Sequence, residues 1–208
     1  MLNHVYNSTV ANPNKLLIIF NSAFNYSTKS FFEFYKISQK HIPTLHFSES
    51  HNTWYLQHVQ QIRLIIEKHL NGVDTVFTLG LSKGGYAALL FGQMYNAEIF
   101  AINPQTNLSL EFEKMCIEQD AISFIDKFND HNKYDSDFYQ LKMILHPDKY
   151  SHIHIFCGTC KYDTMHIREL LKLQKLSVIK YDTNVHSILD DFVIKTDIYS
   201  KIYERISN

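Results

Sequence analysis

An α/β fold on a mainly parallel sheet of about six strands is the class this sequence predicts, with helices on both faces. Two observations predict it. Short apolar, β-branched runs alternate with longer amphipathic runs along most of the chain, the pattern of strands joined by crossover helices. A sharp corner, Gly80-Leu81-Ser82-Lys83-Gly84, also joins the apolar run Thr75-Val76-Phe77-Thr78-Leu79 to a helix-like run from Tyr86 to Tyr95.

Taken in order, the strands are expected at Lys15–Phe20, Ile42–Phe47, Asp74–Leu79, Ala97–Ile102, His152–Cys157 and Leu176–Tyr181. Each is short, rich in Ile, Leu, Val and Phe, and bounded by polar or turn-forming residues. Helices are expected between them at about Thr28–Gln39, Tyr55–Leu70, Lys83–Tyr95, Met165–Leu173 and Ile188–Arg205. Residues 105–150 are too long for one strand–helix link. Within them Leu108–Phe128 and Ser136–Leu145 read as polar-rich helices, so this stretch is expected to be a helical lid inserted in one domain spanning 1–208, with Asn129–Lys133 as its hinge. There is no internal repeat and no low-complexity tract.

Composition narrows the function classes. Lys plus Arg number 20 and Asp plus Glu 21, a formal net charge of -1, so no basic field favours nucleic acid. No apolar run approaches the ~20 residues that span a bilayer, and Met1–Ser8 lacks the basic and apolar regions of a secretory leader. Three cysteines suit a reducing compartment better than a disulfide framework. The expectation is a soluble cytoplasmic protein; its oligomeric state is not legible.

Ser82 is the focus of the chemistry. A serine on a strand–turn–helix corner is held up and exposed, and the strained turn needs small residues two positions to either side, which Gly80 and Gly84 supply. Gly85, Ala87 and Ala88 are expected to let the helix lie close to the sheet. A neutral hydroxyl needs a base, and the base needs a group to fix its tautomer. In an open parallel sheet such groups come from loops at the carboxyl ends of strands, which share one rim. Of twelve histidines, His186 follows the last strand, just before the terminal helix. Asp163 follows the preceding strand, in Gly158-Thr159-Cys160-Lys161-Tyr162-Asp163; Asp182, Asp190 and Asp191 compete with it as solvated or capping residues.

The order Ser82, Asp163, His186 on successive loops resembles the α/β-hydrolase superfamily over most of the chain, with Gly80–Gly84 as nucleophile elbow, Gly158–Asp163 as acid loop and His186 before the final helix. The resemblance implies an α/β-hydrolase fold, with Ser82 as nucleophile, His186 as general base then acid, and Asp163 as orienting carboxylate. It implies an oxyanion donor at the Lys83 N–H and a second in Asn21-Ser22-Ala23-Phe24. The family commonly has a His-Gly pair in that loop; here Ala23 is the preferred donor, with the side chains of Asn21 or Ser22 as alternatives. Ser82–Ala88 together with Asn103-Pro104-Gln105 is also similar to hydrolase-like proteins associated with bacterial surface-polysaccharide biosynthesis. Asn21, Ser22, Phe24, Tyr26, Asn103 and Gln105 are the expected substrate-binding residues.

The implied activity is hydrolysis of a small acyl ester, O-acetyl on a glycan among them, through an acyl-enzyme and without metal or organic cofactor. An acyltransferase or thioesterase using the same triad is the alternative, as is a non-catalytic subunit of a polysaccharide or glycosylation assembly. Other motifs read as structural. Cys157-Gly158-Thr159-Cys160 has redox spacing but ends a buried strand, and His152 and His154 share a strand face without an evident third metal ligand. The Lys83 side chain is expected to be exposed beside the nucleophile, where it would attract an anionic substrate group or simply be solvated. The aromatic run from Phe24 to Tyr35 reads as helix core with a pocket wall as the alternative.

Overall fold

The structure is a computed structural model and describes residues 1–8, 13–22, 42–50, 53–119, 141, 145–168 and 170–207. The expected helix at Thr28–Gln39, the hinge at Asn129–Lys133, and Ala23, Phe24 and Tyr26 lie outside these residues, as does most of the expected helix Ser136–Leu145.

The described strands form one seven-stranded sheet: β1 (Leu2–Asn7), β2 (Lys15–Phe20), β3 (Thr44–Glu49), β4 (Thr75–Leu81), β5 (Glu98–Ile102), β6 (His152–Cys157) and β7 (Leu176–Lys180). Their spatial order is β1-β3-β2-β4-β5-β6-β7. Every neighbouring pair is parallel except β1 with β3. The central strands are near-continuous apolar runs because both faces are covered. In β2, Leu16, Ile18 and Phe20 enter one layer while Leu17 and Ile19 enter the other.

Five described α-helices accompany the sheet: α1 (Val59–Glu67), α2 (Lys83–Met94), α3 (Leu110–Glu118), α4 (Lys161–Arg168) and α5 (Phe192–Ser207). Ile62, Ile65 and Ile66 of α1 and Tyr86–Phe91 of α2 pack on the first layer. Ile198, Ile202 and Ile206, four residues apart on one stripe of α5, cover the second with Leu17, Ile19, Leu79 and Phe100. Helices on both faces agree with the expectation. From Lys83 to Gln93, α2 is buried all round, which explains its lack of a polar face. Gly92 lets this helix approach the sheet closely, since a Cβ there would lie 2.5 Å from Ile99 Cγ1; Gly85 instead packs on Pro104.

Several boundaries differ from the expectation for physical reasons. Leu2–Asn7 is missed because β1 is an edge strand with four exposed central residues, so it has no alternating pattern to read. Its hold is backbone pairing with β3 plus the stacking of Tyr6 on His69 at 4.0 Å. The helix expected at Tyr55 is delayed, since Trp54 and Tyr55 adopt φ of 50° and 64°, and a 3-10 turn at Leu56–His58 precedes α1. The helix expected at Met165–Leu173 begins a turn earlier, at Lys161. The terminal helix is interrupted at Asp191, whose Oδ1 accepts the N–H groups of Val193 and Ile194 at 2.8 and 3.1 Å and caps α5. Inside the expected insertion, α3 is shorter than the expected Leu108–Phe128 among the described residues, and Ser109 caps it by accepting from the Phe112 N–H. No described helix is long and apolar enough to cross a membrane.

Candidate active site

The chain runs from β2 outward to β3 and then returns to β4 on the other side of β2, so the strand order reverses between β2 and β4. Carboxyl ends of strands at such a reversal open a crevice. Phe20 ends β2 and Leu81 ends β4, which places Ser82 at its edge.

Ser82 sits at φ 54° and ψ -116°, between the last residue of β4 and the first of α2. The turn that creates this backbone is too tight for side chains at either flank. A Cβ on Gly80 would stand 2.0 Å from Gly84 O, and one on Gly84 would stand 2.1 Å from Phe20 O. The first distance shows the corner folding on itself; the second shows it resting on the β2 exit. The Ser82 N–H donates to Ile102 O at 2.9 Å, which ties the corner to β5 as well.

His186 reaches Ser82, and Asp163 reaches His186. His186 Nε2 lies 3.1 Å from Ser82 Oγ, and His186 Nδ1 lies 2.5 Å from Asp163 Oδ1. Asp163 is fully buried and belongs to the first turn of α4 rather than to a loop, where the helix dipole favours a carboxylate. Burial raises its pKa, and the hydrogen bond and charge of His186 offset part of that rise. Of the rival carboxylates, Asp182 is exposed, Asp191 caps α5, and Asp190 is exposed in the lining of the cavity over Ser82.

Asn103, at φ 41° after β5, braces this arrangement. Its Nδ2 donates to His186 O, and its Oδ1 accepts the Gly158 N–H at 3.3 Å. Thr159 adds a second tie, its N–H donating to Thr183 O at 2.6 Å, so the turn before Asp163 is pinned to the loop that carries His186.

A cavity of about 300 Å³ opens over the serine, lined among the described residues by Ser22, Leu81, Ser82, Val185, His186, Ser187 and Asp190. Of the expected substrate-binding residues, Ser22 is in that lining. Asn21 is buried, with its carbonyl accepting from the Tyr55 hydroxyl at 2.9 Å. Gln105 is buried and donates to the Tyr162 hydroxyl at 3.4 Å, and Asn103 faces His186 and Gly158. Phe24 and Tyr26, and Ala23 as second oxyanion donor, fall outside the described residues. Sequence reasoning missed Val185, Ser187 and Asp190 in the lining, although the proximity of all three to His186 in the chain was an available signal.

The expectation for the Lys83 side chain is corrected. It is 1 % exposed, and its Nζ lies 3.2 Å from Glu49 Oε1. Burial lowers its pKa while Glu49 pulls the other way. The side chain therefore turns into the protein, whereas the backbone N–H belongs to the first turn of α2, whose N–H groups point toward the Ser82 end. The other motifs also have local roles. Burial pushes the Cys157 thiol up to about 11, opposite to a redox thiolate. His154 Nε2 bonds Glu98 at 2.8 Å and His152 Nε2 bonds Ser177 at 2.8 Å. Among the described residues no cluster of three or more His, Cys, Asp or Glu side chains is arranged to hold a metal.

Two further imidazoles are buried. His166 is wholly enclosed behind the site, its Nδ1 accepting the N–H groups of Thr106 and Asn107 at 3.1 and 3.3 Å, so the proton sits on Nε2. Burial first, and the charge of His186 second, hold His166 down to about 3; burial holds His46 in β3 down to about 4. The unfolded chain binds these protons near pH 6.5, so stability is full above that pH and is lost as pH falls toward those values. At pH 5 each withholds about 2 kcal/mol, partly offset by the raised Asp163, which has the opposite sign. Melting temperatures between pH 7 and 5 should fall by roughly 10 °C; a flat profile would rule out two neutral buried imidazoles.

Strand order, the elbow between β4 and α2, and the acid and imidazole after β6 and β7 together decide the architecture. The fold is that of the α/β hydrolases. Capsule O-acetyltransferase of Neisseria meningitidis serogroup A aligns over 100% of this chain and 91% of its own, at 19% identity and a TM-score of 0.67. Thermogutta terrifontis esterase 2 aligns over 99% and 88%, at 11% identity and a TM-score of 0.68. Acetyl xylan esterase 1 from Thermoanaerobacterium sp. JW/SL YS485 aligns over 97% and 79%, at 10% identity and a TM-score of 0.62. No protein-family model and no curated protein matches the sequence. These structural likenesses establish the α/β-hydrolase fold.

Proposed function

We propose that this chain is a serine esterase that cleaves a small acyl ester, an O-acetyl group on a glycan being the favoured substrate, through an acyl-enzyme. The observation that carries the reading is the continuous chain of contacts from Asp163 Oδ1 to His186 Nδ1 and from His186 Nε2 to Ser82 Oγ, at 2.5 and 3.1 Å, under an open cavity. In the first half-reaction Ser82 Oγ attacks the acyl carbonyl as its proton passes to His186 Nε2. The negative charge on the carbonyl oxygen is held by the Lys83 N–H and a donor near Ala23. The ester C–O bond then breaks, and the leaving alcohol takes the proton from His186. In the second half-reaction water, deprotonated by His186, attacks the acyl-enzyme and releases the acid and Ser82.

The cavity, at about 300 Å³, is at the lower end of the ~300–1,000 Å³ range of ligand pockets, which supports a modest acyl group. Its hydroxyl-bearing wall, Ser22 and Ser187, suits a polyol. A chain-length series of aryl esters tests the reading: acetyl and propionyl esters should turn over fastest, and activity confined to long acyl chains would reject it. Acyl transfer to a glycan hydroxyl is a second reading, supported by the full-length structural likeness to a capsule O-acetyltransferase. It predicts that added sugar acceptors compete with water for the acyl group. A fluorophosphonate that leaves correctly folded protein unlabelled would favour a non-catalytic assembly subunit instead.

A further inference from the structure

Glu49 ends β3 away from the described lining of the cavity, yet it holds both sides of the reacting centre. Its carboxylate is fully enclosed and accepts four donors: Lys83 Nζ at 3.2 Å, the Thr53 N–H at 3.0 Å, the Tyr55 N–H at 3.2 Å and the Thr53 hydroxyl at 2.7 Å. One arm of this set leads to the elbow, because Lys83 directly follows Ser82. The other leads to the β2 exit, because the Tyr55 hydroxyl donates to Asn21 O at 2.9 Å and Phe47 O at 3.2 Å. Lys83 Nζ also lies 5.5 Å from the centre of the Tyr55 ring.

We propose that Glu49 is a positioning residue for the ester reaction, fixing through Lys83 and Tyr55 the spacing between the elbow and the exit of β2. The proposal rests on the serine-esterase reading, in which those two segments carry the oxyanion donors. Three observations support it. A buried ion pair is a poor source of stability, since an apolar pair of similar volume often serves the fold as well or better. The segment that Glu49 clamps is strained, with the bulky residues Trp54 and Tyr55 consecutively at φ of 50° and 64°; such backbone persists where surrounding contacts over-determine it, and it concentrates at functional sites. Finally, the clamp reaches the point where the two segments touch, for a Cβ on Gly84 would lie 2.1 Å from Phe20 O and 2.9 Å from Asn21 O.

Donor geometry aimed at the developing oxyanion acts on turnover more than on substrate affinity. The test compares wild type with Glu49→Gln/Lys83→Met, in which the amide still accepts from the 53–55 segment while the link to the elbow is gone, and with Tyr55→Phe, which lacks only the hydroxyl. On an acetyl aryl ester the double variant should show kcat lower by about 10- to 100-fold and Tyr55→Phe by about 3- to 10-fold, each with KM within about 2-fold of wild type. Melting temperatures within a few degrees of wild type accompany that result. Unchanged kcat in the folded double variant, or a loss expressed wholly in KM, overturns the proposal. If the double variant does not fold, Tyr55→Phe decides, and wild-type kcat there overturns it. A wild type that neither hydrolyses esters nor takes a fluorophosphonate label instead brings down the esterase reading, and this proposal with it.

Discussion

Ser82→Ala is expected to lower turnover of a small aryl ester by about 10⁴- to 10⁶-fold and to abolish fluorophosphonate labelling, with folding intact. The size follows from the proposed mechanism: without Oγ there would be no atom to form the acyl-enzyme, and His186 at 3.1 Å would have no proton to accept. A companion substitution separates chemistry from stability. Ser82 holds a positive φ of 54°, a conformation that costs a side-chain-bearing residue roughly 1–3 kcal/mol. Ser82→Gly should therefore be equally inactive yet melt several degrees higher, because glycine occupies this region at little cost. Turnover in Ser82→Ala above one part in a hundred of wild type would mean that another group is the nucleophile. A lower melting temperature in Ser82→Gly would mean that the corner stores no strain.

Asp163→Asn has the second largest expected effect, a loss of about 10³- to 10⁴-fold in kcat with KM changed only a few-fold. Asp163 Oδ1 lies 2.5 Å from His186 Nδ1, and in the proposed mechanism it accepts the Nδ1–H, leaves Nε2 to take the serine proton and stabilises the imidazolium that results. An amide of the same shape removes the charge and can present its NH₂ to Nδ1, reversing the tautomer. The substitution should not destabilise the fold. Burial raises the Asp163 pKa, so its ionised form is a cost to the folded state at neutral pH, and Asn removes that cost. Inactive protein with an unchanged or higher melting temperature is the expected pair of results. Full activity in Asp163→Asn would assign the orienting role to another carboxylate.

The parts of this site that could be read in advance are those set by short stretches of chain. The limits of β2 and β6 follow from their apolar runs, and the elbow follows from Gly80 and Gly84, because a tight turn excludes Cβ atoms whatever surrounds it. Asp163 and His186 were legible for a topological reason: in a parallel sheet, segments that follow strands emerge on one rim, whatever their separation in sequence. The start of α4 was less accessible, since Lys161-Tyr162-Asp163-Thr164 reads as a polar loop until Tyr162 packs against Phe112 and Cys116 of α3.

What the amino-acid order determined alone was the alternation of strand and helix, the corner that carries Ser82, and the succession of acid and imidazole behind it. Only tertiary structure decided that Lys83 turns inward to Glu49, that Asn103 ties the backbone of His186 to that of Gly158, and that Leu2–Asn7 is a strand. The physical reason is the same in each case. Backbone strain and hydrophobic period act over a few residues and leave a local trace, whereas the partner of a buried charge, of an amide or of an edge strand lies tens of residues away and leaves none.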